Sequence, residues 1–180
     1  YLSNRTALNI AVVDGGLRIE ERNYSEKKFN RNFEKHSRES VYFSDFDPIT
    51  EIEATSFLPD KSGYRKEEVS TIETKDIVQP GIFYGGYKRK DFVFPKLSTG
   101  AIGRLEYSKN IKDPHLLSPF YFADDIDVKE STFTVTAPLN VRLKYKLYGE
   151  GKDLINFTEQ TIDGKLKKYS WTLKNIPAFK

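Results

Sequence analysis

The side chains that most often catalyse reactions or bind metals are sparse in this sequence. It contains no cysteine and two histidines, His36 and His115, which lie far apart and fit neither an HxxxH nor an HExxH spacing. A zinc site without cysteine normally needs two or three histidines, and a thiolate nucleophile needs a cysteine. We therefore expect no metal site and no cofactor.

Acidic residues offer the next candidate chemistry. Asp124, Asp125 and Asp127 follow an aromatic segment, and Asp45 and Asp47 form a second acidic pair. Such carboxylates could bind Ca²⁺ or act as the acid–base pair of a hydrolase. The first group lacks the Asp-x-Asp-x-Asn-Gly pattern of a calcium loop, so the interpretation that these carboxylates stabilise turns is favoured over a metal site or a hydrolase.

Aromatic residues could bind a ligand without reacting with it. Phe83, Tyr84 and Tyr87 lie in a glycine-rich segment, residues 79–87, where their rings could form a platform that stacks on sugars. The alternative is that they belong to the core, as most aromatic residues of β domains do. No Gly-x-Ser-x-Gly or phosphate-loop motif is present, so the sequence shows no assembled catalytic site.

The composition predicts a soluble sheet protein. Of its 180 residues, 38% are hydrophobic and 31% charged, and β-branched and aromatic residues far outnumber alanine and leucine. This length fits a single domain, which we place at residues 1–180. The net charge of +3 is spread along the chain, which argues against nucleic acid as a partner, and no apolar run in this segment is long enough to span a membrane.

Period-two alternation between turn residues predicts the strands. The turns at Asp14-Gly15-Gly16 and Asp163-Gly164 each separate two alternating segments and predict hairpins. Residues 49–58 predict a strand that pairs, across a turn at residues 59–63, with a partner in residues 64–77.

Two further segments complete the predicted architecture. Residues 141–147 alternate between apolar and basic side chains, which predicts a strand with one solvated face. Residues 25–40 are ambiguous, because Phe29 and Phe33 lie four apart as on a helix face, so a short helix around residues 25–36 and an irregular segment stay open. The whole pattern predicts an all-β fold, an antiparallel β-sandwich of about ten strands.

The order of motifs in the second half resembles a known family. The motifs are Phe94-Pro95, Gly103-Arg104-Leu105-Glu106-Tyr107, Ser118-Pro119-Phe120-Tyr121-Phe122, Val135-Thr136-Ala137-Pro138 and a closing Trp171 strand that ends in Asn175-Ile176-Pro177. This order resembles the bacterial domain of unknown function that lies immediately N-terminal to a transglutaminase-like domain in exported multidomain proteins. The resemblance covers residues 92–180 well and the first half loosely.

The resemblance implies structural roles for the matched residues. Gly103 would allow a close backbone approach, and Glu106 beside Tyr107 would lie either on the outer face or buried in hydrogen bonds. Trp171 would anchor the core and would need a partner for its indole N–H. The family has no established catalytic residue in this domain, so none is carried onto this sequence.

The resemblance also implies a function and a setting. We expect a non-catalytic accessory or substrate-positioning domain of an exported bacterial protein, periplasmic or at the cell surface. Its partner would be a transglutaminase-like domain of the same chain, resembling a cysteine protease, and its ligand a peptide, protein or glycan. Because the sequence starts at Tyr1 and contains no methionine, we expect it to be the N-terminal part of a longer protein. The alternative is a stand-alone carbohydrate- or cell-wall-binding module.

Overall fold

The computed structural model describes residues 1–30, 36–77 and 86–179, and the regular secondary structure of this part of the chain is almost wholly β-strand. In chain order its strands are β1 (Ser3–Val13), β2 (Gly16–Phe29), β3 (Arg38–Phe43), β4 (Ile49–Asp60), β5 (Gly63–Glu68), β6 (Glu73–Asp76), β7 (Lys88–Val93), β8 (Ala101–Ile111), β9 (Val128–Pro138), β10 (Asn156–Ile162) and β11 (Leu166–Ile176). Two 3₁₀ turns, Pro114–Leu116 and Lys152–Leu154, lie in the connections. No helix of the described residues has the length and apolar character needed to span a membrane.

The strands form two sheets of unequal size. The large sheet has eight strands in the order β10-β11-β9-β1-β2-β8-β4-β5, and the small sheet has three in the order β3-β7-β6. The predicted all-β, sandwich-like fold is confirmed, but the large sheet is mixed, because β1 and β9 run parallel. The pattern of alternation carries no information about strand direction, so the sequence could not show this pair.

The predicted hairpins are confirmed, because their turns are local. Asp14 and Gly15 adopt φ angles of 50° and 79° and connect β1 to β2 through a two-residue turn. Positive φ at both central residues is the geometry that matches the right-handed twist of paired strands, and Asp-Gly favours it. Asp163 and Gly164, at 51° and 63°, likewise have positive φ in the three-residue connection between β10 and β11.

Two predicted strand boundaries are wrong. Residues 64–77 do not form one partner for β4, because β5 pairs with β4 whereas β6 pairs with β7 in the small sheet. Residues 25–29 continue β2 along β8 instead of starting a helix. In the rest of the ambiguous segment, residues 31–35 lie outside the described residues, and residues 38–40 begin β3.

The predicted strand at residues 141–147 is also wrong, although its alternation is real. The segment forms no strand and belongs to neither sheet. Val141, Leu143 and Leu147 pack against buried residues of the large sheet, while Arg142 and Lys144 are exposed. The apolar spacing therefore reports burial of one side, which an unpaired segment crossing a sheet can satisfy as well as a strand.

Both hydrophobic clusters of the protein lie on one face of the large sheet, here called the covered face. The Phe94 cluster consists of Phe29, Val41, Ala54, Phe92, Phe94 and Leu105. The Trp171 cluster consists of Leu8, Ile10, Ile19, Ile111, Val135, Ala137 and Trp171. Ile19 and Phe29 are ten residues apart on β2, an even separation that puts both side chains on the same face. The opposite side of the large sheet is called the open face.

Candidate functional site

A polar cleft of about 320 Å³ lies on the covered face, next to the Trp171 cluster. Its volume is at the lower end of the range of small-molecule sites. Strands β1, β2 and β8 supply its floor, and the segment after β8 supplies a wall. Its polar lining residues include Asn4, Thr6, Glu21, Asn23, Asp47, Tyr107, Lys109, Ser118 and Asp124.

One half of the floor is a short hydrogen-bonded relay across β1 and β2. The hydroxyl of Thr6 donates to Oδ1 of Asn23 at 2.7 Å, and Nδ2 of Asn23 donates to Oε1 of Glu21 at 2.7 Å. Thr6 and Asn23 are direct cross-strand neighbours, so the register of the first hairpin builds this relay. The relay fixes the orientation of the Asn23 amide at the centre of the cleft.

The other half of the floor is an ion pair. Nζ of Lys109 lies 2.7 Å from Oδ2 of Asp47, and both side chains are largely buried, with 12% and 25% of their surface exposed. The hydroxyl of Ser44 donates to the other oxygen of Asp47. This pair ties β8 to the turn between β3 and β4, and it places one positive and one negative charge in the cleft.

Tyr107 lies beside both halves. It is the cross-strand neighbour of Asn23 on β8. Burial raises the pKa of the Tyr107 phenol, and the nearby Glu21 carboxylate raises it further, so the phenol is neutral at physiological pH. A neutral phenol in this position can donate a hydrogen bond to a ligand.

Aromatic rings form the wall of the cleft. Phe120 stacks on Phe133 with ring centroids 5.2 Å apart and meets Phe122 edge to face at 4.9 Å. Tyr121, next to them in the chain, is 74% exposed. The cleft thus combines amide, carboxylate, ammonium and phenol groups with an aromatic wall, which suits binding of a polar ligand rather than a chemical step.

A second buried ion pair joins the two sheets. Lys27 of β2 binds Glu39 of β3, and their side chains are 15% and 16% exposed. Burial by itself would lower the pKa of Lys27, but the Glu39 carboxylate and the Tyr1 side chain outweigh it, so the pKa is raised and the lysine stays charged. We interpret this pair as a structural connection between the layers.

The open face carries a different kind of surface. Arg104 of β8 donates from Nε and Nη2 to Oε1 of Glu26, at 3.0 and 2.8 Å. Its guanidinium carbon also lies 4.5 Å from the ring centroid of Phe57 and 5.6 Å from that of Tyr24. Burial, followed by the neighbouring Glu26 carboxylate, raises the pKa of Tyr24 to about 12. Arg104 is therefore held rigidly on the open face.

Next to Tyr24 the open face has a shallow groove of about 530 Å³, here called the open-face groove. Arg5 and Arg22 lie on its β1–β2 side, and Glu51, Glu53 and Glu106 lie on its β4–β8 side. Glu53 and Glu106 are direct cross-strand neighbours, a like-charge arrangement that costs stability in a sheet. The groove is therefore charged in two halves of opposite sign.

The acidic cluster predicted from the sequence is divided among separate contacts. Asp124 lines the polar cleft and accepts a hydrogen bond from the N–H of Asp125, whereas Asp127 accepts one from the N–H of Ala178. The described residues contain no group of three or more histidine, cysteine or acidic side chains that could hold a metal ion.

The predicted aromatic platform can be placed only in part. Tyr87 is 59% exposed at the start of the chain leading into β7. Phe83 and Tyr84 lie outside the described residues. Among the residues that line the polar cleft, Tyr121 is an exposed aromatic side chain.

The residues matched by the family resemblance occupy three different environments. Gly103 lies on the covered face, where a Cβ atom would be 2.8 Å from Cε2 of Phe94. Glu106 is exposed on the open face, and Tyr107, its neighbour, points to the opposite side. Trp171 is 2% exposed in the core, and its Nε1 has no hydrogen-bond partner among the residues that the structure describes.

Sequence reasoning missed the central residues of the polar cleft: Thr6, Glu21, Asn23 and Lys109. Each lies on the covered face of its strand, in line with core residues such as Leu8, Ile19 and Ile111. A polar residue at such a position is the signal that could have found them, once the strand boundaries were known.

The comparison with solved structures supports the fold. Over its whole length the chain matches a crystal structure of a "putative protease" from Parabacteroides distasonis, with a TM-score of 0.78 and 21% sequence identity. The chain covers 36% of the length of that protein chain. At this identity the match shows a shared fold. A search of curated proteins found no match.

The comparison with protein families extends the resemblance noted from the second half of the sequence. A family model described as "Domain of Unknown Function with solved-structure structure (DUF3857)" matches residues 29–180. The match includes the small sheet and the strands that form most of the large sheet. The chain belongs to the DUF3857 family.

Proposed function

We propose that this chain is a non-catalytic accessory domain that positions a catalytic domain, of the transglutaminase-like type, within an exported bacterial protein. The observation that carries the proposal is the open face of the large sheet. It is eight strands wide, and the small sheet and both hydrophobic clusters lie on its other side. Interfaces between domains of one chain are often of this polar, charged kind.

The open face has a preformed anchor for a neighbouring domain. Arg104 is held by Glu26 and by two aromatic rings, so little side-chain entropy is lost when a partner contacts it. Arginine and tyrosine are also the residue types that most often dominate binding energy at interfaces. The open-face groove beside them offers both signs of charge for orienting the partner.

The match to the Parabacteroides distasonis protein supports the same proposal. There the fold of this chain accounts for 36% of a longer chain that is described as a "putative protease". A chain with this fold can therefore form part of a larger protein of that description. Export and a transglutaminase-like neighbour are the parts of the proposal that come from the family resemblance.

The first test is to sequence the native polypeptide beyond Lys180. We expect a downstream segment with a cysteine followed by a histidine and an aspartate. The second test is hydroxyl-radical footprinting of the full-length protein and of residues 1–180. Tyr24 and Phe57 should be protected in the full-length protein only, whereas Tyr42, 56% exposed on β3 of the small sheet, should react equally in both. Equal labelling of Tyr24 in both chains would remove the open face as the docking surface.

A matched pair of variants tests the accessory role itself. Arg104→Ala should lower the activity of the full-length enzyme about tenfold, because it removes the anchor of the interface. Arg65→Ala, on edge strand β5, removes the same charge elsewhere and should leave activity unchanged. If both variants retain full activity, the accessory role through this face is wrong.

A second candidate function, glycan binding, is supported by the polar cleft. Its amide, carboxylate and ammonium groups beside the aromatic wall are the groups that orient sugars in binding sites. Neutral and acidic oligosaccharides should be titrated against the unmodified chain, Asn23→Ala and Tyr87→Ala. Binding that is lost in Asn23→Ala and kept in Tyr87→Ala would support the cleft; loss in Tyr87→Ala alone would support the platform predicted from the sequence.

A further inference from the structure

We propose that the outer edge of β10 binds an extended, acidic polypeptide segment as an additional strand of the large sheet. The proposal does not depend on the accessory role, because it concerns an edge of the sheet rather than its open face. It follows from the unequal protection of the two sheet edges, the backbone geometry of β10, and the aromatic and charged side chains around it.

The two edges of the large sheet differ in their side chains. β5 at one edge has charged residues at four of six positions, including Lys66, which pairs with Glu68 at 2.8 Å. β10 at the other edge has one charged residue in seven, Glu159, and that carboxylate is paired with Lys167 at 2.6 Å. Charged side chains are a common device against unwanted strand pairing, so β5 is protected and β10 is not.

The register shows which backbone groups of β10 are available. The N–H of Leu139 donates to the carbonyl of Lys165 at 3.2 Å, so odd-numbered residues of β11 bond to β9 and even-numbered ones bond to β10. In β10 the even-numbered residues then face β11. Phe157, Glu159 and Thr161 therefore direct their N–H and C=O groups outward, ready for another strand.

Aromatic side chains border this edge on the covered face. Tyr145 and Phe157 are 52% and 39% exposed and lie 5.5 Å apart between ring centroids. Both rings contact the buried Trp171, at 4.8 and 5.2 Å. An added strand would place its inward side chains against these rings and cover apolar surface that is now in water.

The charges around β10 favour a partner with negative charge. Residues 139–179 contain eight basic and four acidic side chains, although the chain as a whole has a net charge of only +3. Lys144 and Lys146 are exposed in the segment that crosses the covered face, and Lys168 is exposed opposite Gln160 on the open face. Lysines therefore flank both sides of an added strand, which favours carboxylates on it.

The test uses a synthetic probe, the capped heptapeptide Thr-Val-Glu-Val-Glu-Val-Thr, with a matched peptide that has lysine in place of glutamate. Trp171 is the only tryptophan, and it lies under the rings of Tyr145 and Phe157, so its fluorescence reports on binding at β10. We expect saturable binding of the acidic peptide and about tenfold weaker binding of the basic one, since two glutamates lose their lysine neighbours.

Two variants at one position separate backbone pairing from side-chain contact. Thr161→Pro removes an outward N–H without removing a bond to β11, and a proline is tolerated in this orientation at a sheet edge. It should weaken peptide binding about three- to tenfold, whereas Thr161→Ala, which keeps the N–H, should not. Equal binding by the two variants would overturn strand addition.

A charge reversal provides a test that leaves the strand intact. Lys168→Glu, on the open face where the peptide glutamates would lie when the valines contact the rings, should reduce the preference for the acidic peptide. If both peptides bind this variant as they bind the unmodified chain, the acidic partner is wrong. If sedimentation shows a dimer that Thr161→Pro dissociates and the acidic peptide does not displace, the occupant of the edge is a second copy of the chain, which also overturns the proposal.

Discussion

The two hydrophobic clusters of this protein lie on the same face of the same sheet but are covered in different ways. The Phe94 cluster lies beneath the small sheet, whose strands are joined by backbone hydrogen bonds. The Trp171 cluster packs against side chains of unpaired segments, among them Leu117, Phe122, Leu143, Leu147 and Ile155. One cover is held by backbone pairing and the other by side chains.

This difference shows which part of the molecule can open locally while the rest stays folded. A hydrogen-bonded cover moves as a unit, whereas a cover held by side chains can open locally at a lower cost. Exposed aromatic side chains and an unpaired strand edge lie at the second cover: Tyr121, Tyr145, Tyr148 and the edge of β10. Binding regions are expected where stability is lowest, so we place ligand contacts near Trp171 rather than near Phe94.

The largest expected effect comes from emptying each cluster. Phe94→Ala and Trp171→Ala each remove a large ring that is 3% and 2% exposed, and each should lower the free energy of unfolding by about 3–5 kcal/mol. Urea denaturation measures this loss. Phe157→Ala, at a ring that is 39% exposed, is the control and should cost about 1 kcal/mol. A loss below that of the control for Trp171→Ala would mean that the Trp171 cluster is not a core.

The second-largest expected effect comes from a substitution at Gly103, which tests how tightly the Phe94 cluster is packed. A Cβ atom at position 103 would lie 2.8 Å from Cε2 of Phe94 and 2.9 Å from Cε2 of Phe29, closer than packed carbon atoms allow. Gly103→Ala should therefore cost about 1–3 kcal/mol by overpacking. Gly16→Ala, where the nearest atom is 3.7 Å away, should cost less.

A second substitution tests whether the new methyl group at position 103 contacts the Phe94 ring directly. Phe94→Leu, combined with Gly103→Ala, relieves the contact and should recover part of the lost stability relative to the sum of the two single changes. Strict additivity of the two losses would contradict direct contact between the new methyl group and the Phe94 ring.

The sequence predicted what local interactions determine. The turns at Asp14-Gly15 and Asp163-Gly164 depend on the φ preferences of two residues each, and both hairpins followed from them. The end of β9 at Pro138 and the apolar spacing of its residues could also be predicted from the sequence. These features need no knowledge of any distant part of the chain.

Features that depend on distant pairing could not be predicted. Leu8 meets Val135 across the parallel β1–β9 ladder, a contact spanning most of the chain, and alternation does not encode its direction. Thr6, Asn23 and Tyr107 become neighbours only through the register of three strands. The polar cleft therefore was not visible until the sheet order was known.

The third-largest expected effect is a difference in cleavage rate between the two covers, measured by limited trypsin digestion of the native protein. Both covers contain basic residues: Lys88, Arg89 and Lys90 in β7, and Arg142, Lys144 and Lys146 in the unpaired segment. Cleavage requires local opening, so we expect the second group to be cut at least about tenfold faster. Leu143→Ala should speed cleavage at Lys144 and leave β7 unchanged. Equal rates at the two covers would remove the distinction between them.

The smallest effect concerns Tyr107, which packs at the edge of the Phe94 cluster and lines the polar cleft. Burial, followed by the Glu21 carboxylate, raises its pKa above the ordinary value near 10, so the folded protein holds the phenol proton more tightly than the unfolded chain. The stability that this provides is complete below about pH 10 and is lost as the pH rises toward the folded-state pKa.

Tyr107→Phe removes this titration. Between about pH 9 and pH 11 the unmodified chain should lose about 1 kcal/mol more stability than the variant, measured by urea denaturation at each pH. Tyr1, Tyr24 and Lys27 also have raised pKa values, but they are present in both proteins and cancel in the difference. Parallel pH profiles would mean that Tyr107 is hydrated, and the cleft would then be open to water as far as the boundary between the two clusters.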